Sequence, residues 1–329
     1  MGYFLGMDGG GTKTIAIVTD EKGNVRGVGR SGGINFQAIG VKAAARELGK
    51  AYKAALESAG IGPGDLLAAG YGICGADRDK DYETVLGMIR TFDSCPMRVL
   101  VNDTSVALRA GTPDGVGVAC ISGTGCNVMG FNGRGIFKRA GGLGPLSADW
   151  GGGMDIAVAG INAAMKQGEG RGKKTLIYDM LMQHFKLEDI EDLIEFGFRD
   201  VDREAELAYA TPIVFKAASH GDKVAQEILA AAGKSVGKAA KFVISVLFRP
   251  GEPVTVALGG SAFMRGSHAL HIETLKNVIG TKRNPITVVK LTTEPAVGGV
   301  LLAMDLYSGK KTPPSVTKRI AATLKKWVK

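Results

Sequence analysis

The chain has 329 residues, a formal net charge of +9 and 45% hydrophobic residues, which is enough apolar content for the cores of two domains. It shows no signal-peptide pattern and no apolar run long enough to span a bilayer, so we expect a cytoplasmic protein without a membrane partner. The cysteines at positions 74, 95, 120 and 126 lack C-x-x-C spacing, which argues against a zinc site and for free thiols.

Much of the positive charge lies near the C-terminus, between Lys310 and Lys329. Such a run can form a nucleic-acid surface. Because the rest of the chain carries mixed charge, we interpret the run as a solvated basic helix and expect no nucleic-acid partner. A basic surface also attracts anionic nucleotides.

The N-terminal third alternates strand-like and helix-like segments. The predicted strands are 3–8, 13–19, 25–30, 67–74 and 98–101, and the predicted helices are 41–58, 81–92 and 104–110. The resulting order, βββαβαβα, predicts an α/β fold with a mixed sheet.

From residue 116 the same plan begins again. The predicted strands are 116–121, 126–131, 135–139, 254–258 and 286–290, and the predicted helices are 153–167, 173–185, 203–219 and 223–247. We therefore predict a duplicated α/β unit with a nucleotide cleft between the halves. The first lobe would span 1–112, the second 113–294, and a C-terminal helix over 295–329 would pack back on the first.

Two glycine-rich turns of similar design each join a pair of predicted strands. The first reads Asp8-Gly-Gly-Gly-Thr-Lys-Thr14, and the second reads Ser122-Gly-Thr-Gly-Cys-Asn127. Glycines allow the backbone to approach a ligand closely and to direct successive N–H groups at it. The hydroxyls of both turns add hydrogen-bond donors. The pair therefore predicts a polyphosphate site of a nucleotide.

Other glycine loops fit this sequence less well. A Walker A loop needs Gly-Lys-Ser/Thr followed by a helix, whereas Thr12 separates Gly11 from Lys13 and the next run is strand-like. A dinucleotide fingerprint also needs a strand-to-helix turn. Two ordinary hairpin turns remain the alternative interpretation.

Asp103 lies where a predicted strand ends and a predicted helix begins, the position at which open α/β sheets bind ligands. It has two interpretations, a helix cap or a base that takes a proton from a substrate hydroxyl during phosphoryl transfer. We favour the base because of the flanking polar residues and the glycine loops. Asp8 would orient water on Mg²⁺, which prefers carboxylate and phosphate oxygens.

Two further segments are rich in glycine. In the segment 139–153, Asp149 could accept hydrogen bonds from sugar hydroxyls and Trp150 offers an apolar surface, although the same residues also fit an elaborate helix entry. Gly259-Gly260-Ser261 follows the predicted strand 254–258. Paired glycines there would allow an adenine ring to lie against the backbone.

Taken together, these motifs resemble the actin, heat-shock chaperone and sugar-kinase superfamily. Within it, they resemble the branch shared by N-acetylglucosamine kinases and the BadF/BadG/BcrA/BcrD ATPases. The resemblance extends from Tyr3 to about Tyr307 and includes Glu294-Pro-Ala-Val-Gly-Gly299 as the late connecting helix. It implies two duplicated ribonuclease H-like lobes, ATP and Mg²⁺ as cofactors, a sugar substrate and a homodimer.

The kinase side of the branch implies a role for each matching residue. Asp103 matches the general base, and Asp8 would hold Mg²⁺ through water. The ATP and phosphate contacts would come from Asp8, Gly10, Gly11, Thr12, Lys13, Thr14, Gly123, Thr124, Gly125, Gly259, Gly260 and Ser261. The sugar contacts would come from Asn35, Phe36, Asn102, Asp103, Gly141, Gly142, Leu143 and Asp149.

The chain departs from the kinase pattern at one place. N-acetylglucosamine kinases typically read Asp-Glu-Gly-Ser where this chain reads Asp149-Trp150-Gly-Gly. Phosphotransfer to an amino sugar or hexose is the predicted function, with N-acetylglucosamine first. The alternative is an ATPase of the BadF/BadG type that activates a partner enzyme without a sugar substrate. The activators that carry an iron–sulfur cluster need cysteines, and this sequence has none after Cys126.

Overall fold

The computed structural model describes residues 2–144, 147–198 and 207–327. The chain forms two compact units. Unit 1 comprises the residues up to Ala119, Gly130–Ile136 and the residues from Leu291 onward. Unit 2 comprises Cys120–Met129 and Phe137–Lys290.

The strands and helices predicted from the sequence occur in the predicted order, together with further helices that were not predicted. The first half contains β1 (Tyr3–Gly9), β2 (Lys13–Asp20), β3 (Val25–Gly32), α1 (Phe36–Ile39), α2 (Val41–Ala59), β4 (Leu66–Ile73), α3 (Asp79–Ile89), β5 (Arg98–Val101) and α4 (Asp103–Gly111). Next come β6 (Gly117–Ser122), β7 (Cys126–Phe131), β8 (Phe137–Gly141), α5 (Gly153–Gly168), α6 (Leu176–Phe185), α7 (Ile190–Phe198), α8 (Ala210–Ser219) and α9 (Lys223–Leu247). The last are β9 (Val254–Gly259), α10 (Ser261–Arg265), α11 (Leu270–Ile279), β10 (Ile286–Lys290), α12 (Ala296–Ser308) and α13 (Pro314–Leu324). No helix within the described ranges has both the length and the apolar character needed to cross a membrane.

Two five-stranded sheets share one strand order. The first sheet runs β3-β2-β1-β4-β5, and the second runs β8-β7-β6-β9-β10. Counted from the start of each half, both sheets have the order 3-2-1-4-5. In the first sheet β1–β2 and β2–β3 pair antiparallel, whereas β1–β4 and β4–β5 pair parallel. The predicted duplication of one α/β plan is confirmed.

The sheet of unit 1 is covered by helices on both faces, which explains why its strands read as nearly continuous apolar runs. Along β1, Leu5 and Met7 join a buried cluster with residues of α2 and α3. Phe4, whose side chain points to the opposite face, joins a second cluster with residues of α12 and α13. Each fully buried side chain of this size contributes about 1.5–3 kcal/mol to stability.

Helix α12 packs on this sheet through glycines. A Cβ atom added to Gly70 of β4 would lie 2.1 Å from the carbonyl oxygen of Gly299, and one added to Gly298 would lie 1.9 Å from the carbonyl oxygen of Val106. Since both contacts are with backbone, a side chain at either position would push the helix away. The Gly298-Gly299 pair therefore allows α12 to pack closely on its neighbours.

Two helix predictions need correction. The predicted continuous helix over 295–329 is divided into α12 and α13, because Gly309 ends α12 with a φ of 66° and Pro313 precedes α13. The helix predicted over 173–185 begins at Leu176, since the Thr175 side chain accepts a hydrogen bond from the Ile177 N–H and caps it. Of the helix predicted over 203–219, residues 203–206 lie outside the described part.

Candidate active site

The first glycine turn joins β1 to β2 and is exposed. The N–H of Gly10 donates to the carbonyl oxygen of Lys13 at 2.9 Å, which closes the turn. The carbonyl oxygen of Gly10 accepts from the Ile34 N–H at 3.0 Å. Gly11, Thr12 and Lys13 face solvent, so this part of the turn is accessible to a ligand.

Three glycines of the two turns are not required by the fold. A Cβ atom added to Gly11, Gly123 or Gly125 would meet nothing within 4 Å, and none of these residues has a positive φ. A larger residue would therefore fit at each position in the structure as it stands. Glycine at these positions is expected where a ligand, and not the protein itself, approaches the backbone. This supports the phosphate-binding interpretation over two ordinary hairpin turns.

The second glycine turn joins β6 to β7 and rests on the start of α5. The N–H groups of Gly153 and Met154 donate to the carbonyl oxygens of Gly123 and Thr124 at 2.7 and 3.0 Å. The buried Ser122 hydroxyl donates to the Gly151 carbonyl oxygen at 2.7 Å. The turn is thus fixed by the start of α5 and the residues before it, while Thr124 and Gly125 remain exposed.

The paired glycines after β9 lie against this second turn. Gly260 has a φ of 91°, and a Cβ atom there would lie 2.3 Å from the carbonyl oxygen of Ser122. Only glycine fits both constraints. The exposed Ser261 follows and begins α10. The structure therefore brings the predicted adenosine segment next to the second predicted phosphate turn within unit 2.

Three aspartates lie at one edge of the first sheet. In the strand register, Asp8 of β1 is level with Gly72 of β4, which is level with Val101 of β5. Asp77 follows β4 and Asp103 follows β5. Because β1, β4 and β5 run parallel, their carboxyl ends meet at this edge, where α/β sheets bind ligands.

The first turn of α4 distinguishes between the two roles considered for Asp103, helix cap and base. The helix cap is Asn102, whose Oδ1 accepts from the Thr104 N–H at 3.0 Å. Asp103 is the first residue of the helix, and its Oδ1 accepts from the same N–H at 2.9 Å. Burial raises the pKa of Asp103 to about 6, with the Asp77 carboxylate acting in the same direction and the Thr104 N–H opposing it. The carboxylate is therefore ionised at neutral pH and more basic than an ordinary aspartate.

Asp8 has an excess of negative charge around it. Burial raises its pKa to about 8, and the carboxylates of Asp103 and Glu294 add to the shift, whereas Lys13 opposes it. The Lys13 ammonium pairs with Glu294 at 3.1 Å. A divalent cation fits such a site because it would neutralise the crowded carboxylates. Among the described residues, no group of three acidic, thiol or imidazole side chains could hold a metal ion by itself.

The loop after β8 is organised by Asp149. Its Oδ2 accepts from the N–H groups of Gly142 and Gly144 at 2.9 and 3.3 Å, and its Oδ1 accepts from the Ser147 hydroxyl at 2.7 Å. Gly141 and Gly142 have φ values of 76° and 77°, which glycine adopts without strain. The Leu143 side chain is exposed. Pro145 and Leu146 lie outside the described residues.

Asn35 and Phe36 lie beside the loop that carries Asp77. Asn35 caps α1, its Oδ1 accepting from the Gln37 N–H at 3.2 Å. A Cβ atom on Gly75 would lie 3.1 Å from the Phe36 ring, so this ring packs on the loop that follows β4. The structure thus groups these two predicted sugar contacts with the aspartates of unit 1.

The structure does not bring every predicted site residue to an exposed position. Thr14 is fully buried, and its hydroxyl donates to the Gly32 carbonyl oxygen at 2.8 Å. Asn102 is also buried, with its amide directed to Asp77 and to the first turn of α4. Their predicted contacts with phosphate and sugar stay predictions.

Three acidic residues with clear structural roles were missed by the sequence interpretation. Asp77 lies near Asp103, and Glu294 lies near Asp8. Asp155 accepts from the N–H groups of Gly151 and Gly152, both at 2.9 Å, and so fixes the entry to α5. The available signal for Asp77 was its position after a predicted strand, the same signal that drew attention to Asp103.

Comparison with known proteins agrees with this geometry. The sequence matches the BadF/BadG/BcrA/BcrD ATPase family over residues 5–303. The chain belongs to this family. An ATPase family implies that this member uses ATP, and the predicted resemblance is confirmed.

Two curated relatives are sugar kinases. The chain is 29% identical over 303 residues to an N-acetylmuramic acid/N-acetylglucosamine kinase of Clostridium acetobutylicum, covering 92% of this chain and 98% of that protein. It is 28% identical over 319 residues to an N-acetyl-D-glucosamine kinase of Dictyostelium discoideum, with the same coverage of 92% and 98%. A ROK family glucokinase of Streptomyces griseus, solved with glucose and AMPPNP, is similar in structure, with a TM-score of 0.63 at 18% identity. The similarity covers 92% of the present chain and 99% of the glucokinase chain. The last similarity confirms the fold class.

Proposed function

We propose that the protein is an ATP-dependent kinase that phosphorylates a hydroxyl of N-acetylglucosamine or a closely related amino sugar. The observation that carries this proposal is the position of Asp103 at the sheet edge beside the first glycine turn, with a pKa of about 6. A carboxylate of this basicity, placed next to a phosphate site, suits the removal of a proton from an alcohol. The names of the two curated relatives support the substrate class.

The proposed mechanism combines a base with hydrogen-bond donors for the phosphates. Asp103 accepts the proton of the sugar hydroxyl as the sugar oxygen attacks the γ-phosphorus, and the bond from this phosphorus to the β,γ-bridging oxygen breaks to release ADP. The open backbone at Gly11 and Gly125 would donate N–H groups to phosphate oxygens, Gly123 would allow their close approach, and the exposed Thr12 and Thr124 would contact the phosphates. Gly259, Gly260 and Ser261 hold the adenosine.

Mg²⁺ completes the proposed ATP site. Asp8 would hold it through water. When bound, the ion neutralises charge on the phosphates during transfer. Its presence would also relieve the crowding of Asp8 by Asp103 and Glu294.

Two sets of residues are the proposed sugar contacts. In the part of the chain that is described, the NH₂ group of Asn35 makes no hydrogen bond, and it is a donor for a sugar hydroxyl. The Phe36 ring supplies an apolar face, while Gly141, Gly142, Leu143 and Asp149 form the second contact. Trp150 replaces the acidic residue of the usual kinase pattern, and its side chain packs against the apolar cluster formed by α5, α6, α8 and α9.

The direct test is ADP formation with a panel of sugars. Initial rates would be measured with Mg·ATP alone and with N-acetylglucosamine, glucosamine, glucose and N-acetylmuramic acid, each for the wild type and Asp103→Asn. We expect at least one N-acetylated amino sugar to raise the wild-type rate ~10-fold or more, and this stimulation to disappear in the variant. Rates that no sugar changes would overturn the kinase proposal.

A second candidate function is activation of a partner enzyme by ATP hydrolysis. It is favoured by the family itself, which is defined as an ATPase family, and by the Trp150 departure. Such a protein would hydrolyse ATP at a rate independent of sugar. If it carried an iron–sulfur cluster, purified protein would contain iron and absorb visible light. The homodimer and the cytoplasmic location predicted from the sequence remain predictions.

A further inference from the structure

Asp77 lies in the loop between β4 and α3, at the edge of the first sheet that also carries Asp8 and Asp103. This loop is tied to β1, because the Cys74 N–H donates to the Gly9 carbonyl oxygen at 2.8 Å. The neighbouring Arg78 directs its guanidinium to Asp81, with two contacts of 2.8 Å. The loop is therefore fixed at both ends, and the Asp77 carboxylate points to α4.

The contact with α4 is made through Asn102. The Asn102 Nδ2 donates to the Asp77 Oδ1 at 3.0 Å, and the Asn102 Oδ1 accepts from the Thr104 N–H at 3.0 Å. An amide has one donor end and one acceptor end, and a carboxylate accepts only. Asp77 therefore selects the amide orientation that caps α4. Because Asn102 is buried, its orientation is determined by these protein groups.

The position of Asp103 depends on this cap. Asp103 is the residue after Asn102, and its carboxylate shares the Thr104 N–H with the cap. Loss of the cap would free the first turn of the helix to fray. The reactive carboxylate would then lose its fixed direction, and a misplacement of about 1 Å is sufficient to slow a reaction ~10²-fold.

Asp77 also acts on Asp103 through its charge. The titratable groups around this edge are Asp8, Lys13, Cys74, Asp77, Asp103 and Glu294. Lys13 is paired with Glu294, and burial raises the pKa of the Cys74 thiol, which keeps it neutral. Of these groups, Asp77 is the nearby charge that makes proton binding by Asp103 more favourable.

We infer that Asp77 is a positioning residue for Asp103, which orients the base through Asn102 and places a negative charge near it. The inference rests on the proposed function in one respect, that Asp103 is the base. Asp77→Asn separates the two effects, because an amide oxygen can still accept the Asn102 N–H while the charge is gone. Asp77→Ala removes both.

The experiment combines a carboxyl titration with a pH–rate profile. The pKa of Asp103 would be followed by carbon-13 NMR of labelled aspartate, assigned from the signal lost in Asp103→Asn. In Asp77→Asn we expect the pKa of Asp103 to fall by about one unit. The acid limb of the kcat profile for sugar phosphorylation should move to lower pH by the same amount. In Asp77→Ala, kcat should also fall ~10-fold or more at every pH, with little change in KM for ATP.

Asp79→Asn is the matched control. It removes an equally charged but exposed side chain two residues away, and its profile should overlay that of the wild type. An unchanged Asp103 titration in Asp77→Asn, or an equal shift in Asp79→Asn, would overturn the inference. A shifted titration in a protein that phosphorylates no sugar would leave the inference in place and overturn the proposed function instead.

Discussion

Unit 1 and unit 2 share a strand order but differ in the chemistry at the ends of their strands. In unit 1, the edge beside the first glycine turn carries Asp8, Asp77 and Asp103. In unit 2, Asp149 and Asp155 accept hydrogen bonds from nearby N–H groups and hold their own loops. The carboxylates of unit 1 are thus crowded together, whereas those of unit 2 are satisfied by the backbone.

The difference shows which features of a duplicated fold are retained and which diverge. Both units have a glycine turn between their first two strands, and each turn is a proposed anion site. Among the described residues, unit 1 carries carboxylates with raised pKa values at its strand ends, and such groups cluster at reactive centres. We therefore propose that the proton chemistry belongs to unit 1 and that the loops of unit 2 support the nucleotide and the sugar.

The largest expected effect comes from the paired substitutions Asp103→Asn and Asp155→Asn. The first should lower kcat ~10²-fold or more, the usual size for a general base, and leave ATP affinity unchanged. The second replaces the charged acceptor of the Gly151 and Gly152 N–H groups by a neutral amide oxygen and should cost about 1 kcal/mol of stability with little change in kcat. Steady-state kinetics and thermal unfolding would be measured on both variants. Near-normal turnover in Asp103→Asn would show that this carboxylate is structural only.

The glycine turns should respond alike in the two units. Gly11→Val and Gly123→Val place a branched side chain in space that is open in the structure, so we expect each variant to fold normally. Each side chain would obstruct a phosphate and weaken ATP binding roughly 10-fold or more, which is about 1.4 kcal/mol by calorimetry. Gly87→Ala is the control, since its Cβ also meets nothing within 4 Å but lies on α3. Unchanged ATP affinity in both turn variants would refute the phosphate assignment.

The activity of the wild type should depend on the ionisation of Asp103. With a pKa of about 6, the base is mostly protonated at pH 5, and kcat should be about tenfold below its plateau there. The raised pKa also predicts that protonation stabilises the fold, and that this contribution is lost as the pH rises through about 6. Asp103→Asn, which stays neutral, should therefore unfold at a higher temperature than the wild type at pH 8. A lower melting temperature at that pH would contradict the assigned shift.

The smallest expected effect concerns the ion pair at the edge of unit 1. Lys13 is largely exposed and pairs with Glu294, so Glu294→Gln should change the free energy of unfolding by less than about 1 kcal/mol. The freed ammonium should bind phosphate better, and the KM for ATP should fall about two- to threefold. A rise in KM would indicate that Glu294 itself contributes to cation binding.

The sequence predicted the sheets and both glycine turns because these depend on local patterns. Apolar runs predict strands, and a glycine run between two such strands predicts a turn open to a ligand. Asp103 could also be predicted from the sequence, because it lies just after a short strand and begins a helix.

Other features depended on contacts that no local pattern reports. Asp77 lies in a loop, and its importance comes from Asn102, 25 residues later. The buried direction of the Thr14 hydroxyl follows from helices covering both faces of the sheet, so strand alternation did not reveal it. Helix α7, between two predicted helices, was not predicted. Its first turn is acidic, and its apolar repeat is short.

The central claim is that the γ-phosphoryl group of ATP goes to a sugar hydroxyl, with Asp103 taking the proton. Phosphorus-31 NMR of a reaction with Mg·ATP and N-acetylglucosamine tests it most directly. We predict a sugar-phosphate resonance that grows in step with ADP in the wild type and is absent with Asp103→Asn. ADP accompanied only by inorganic phosphate, across the whole sugar panel, would contradict the account.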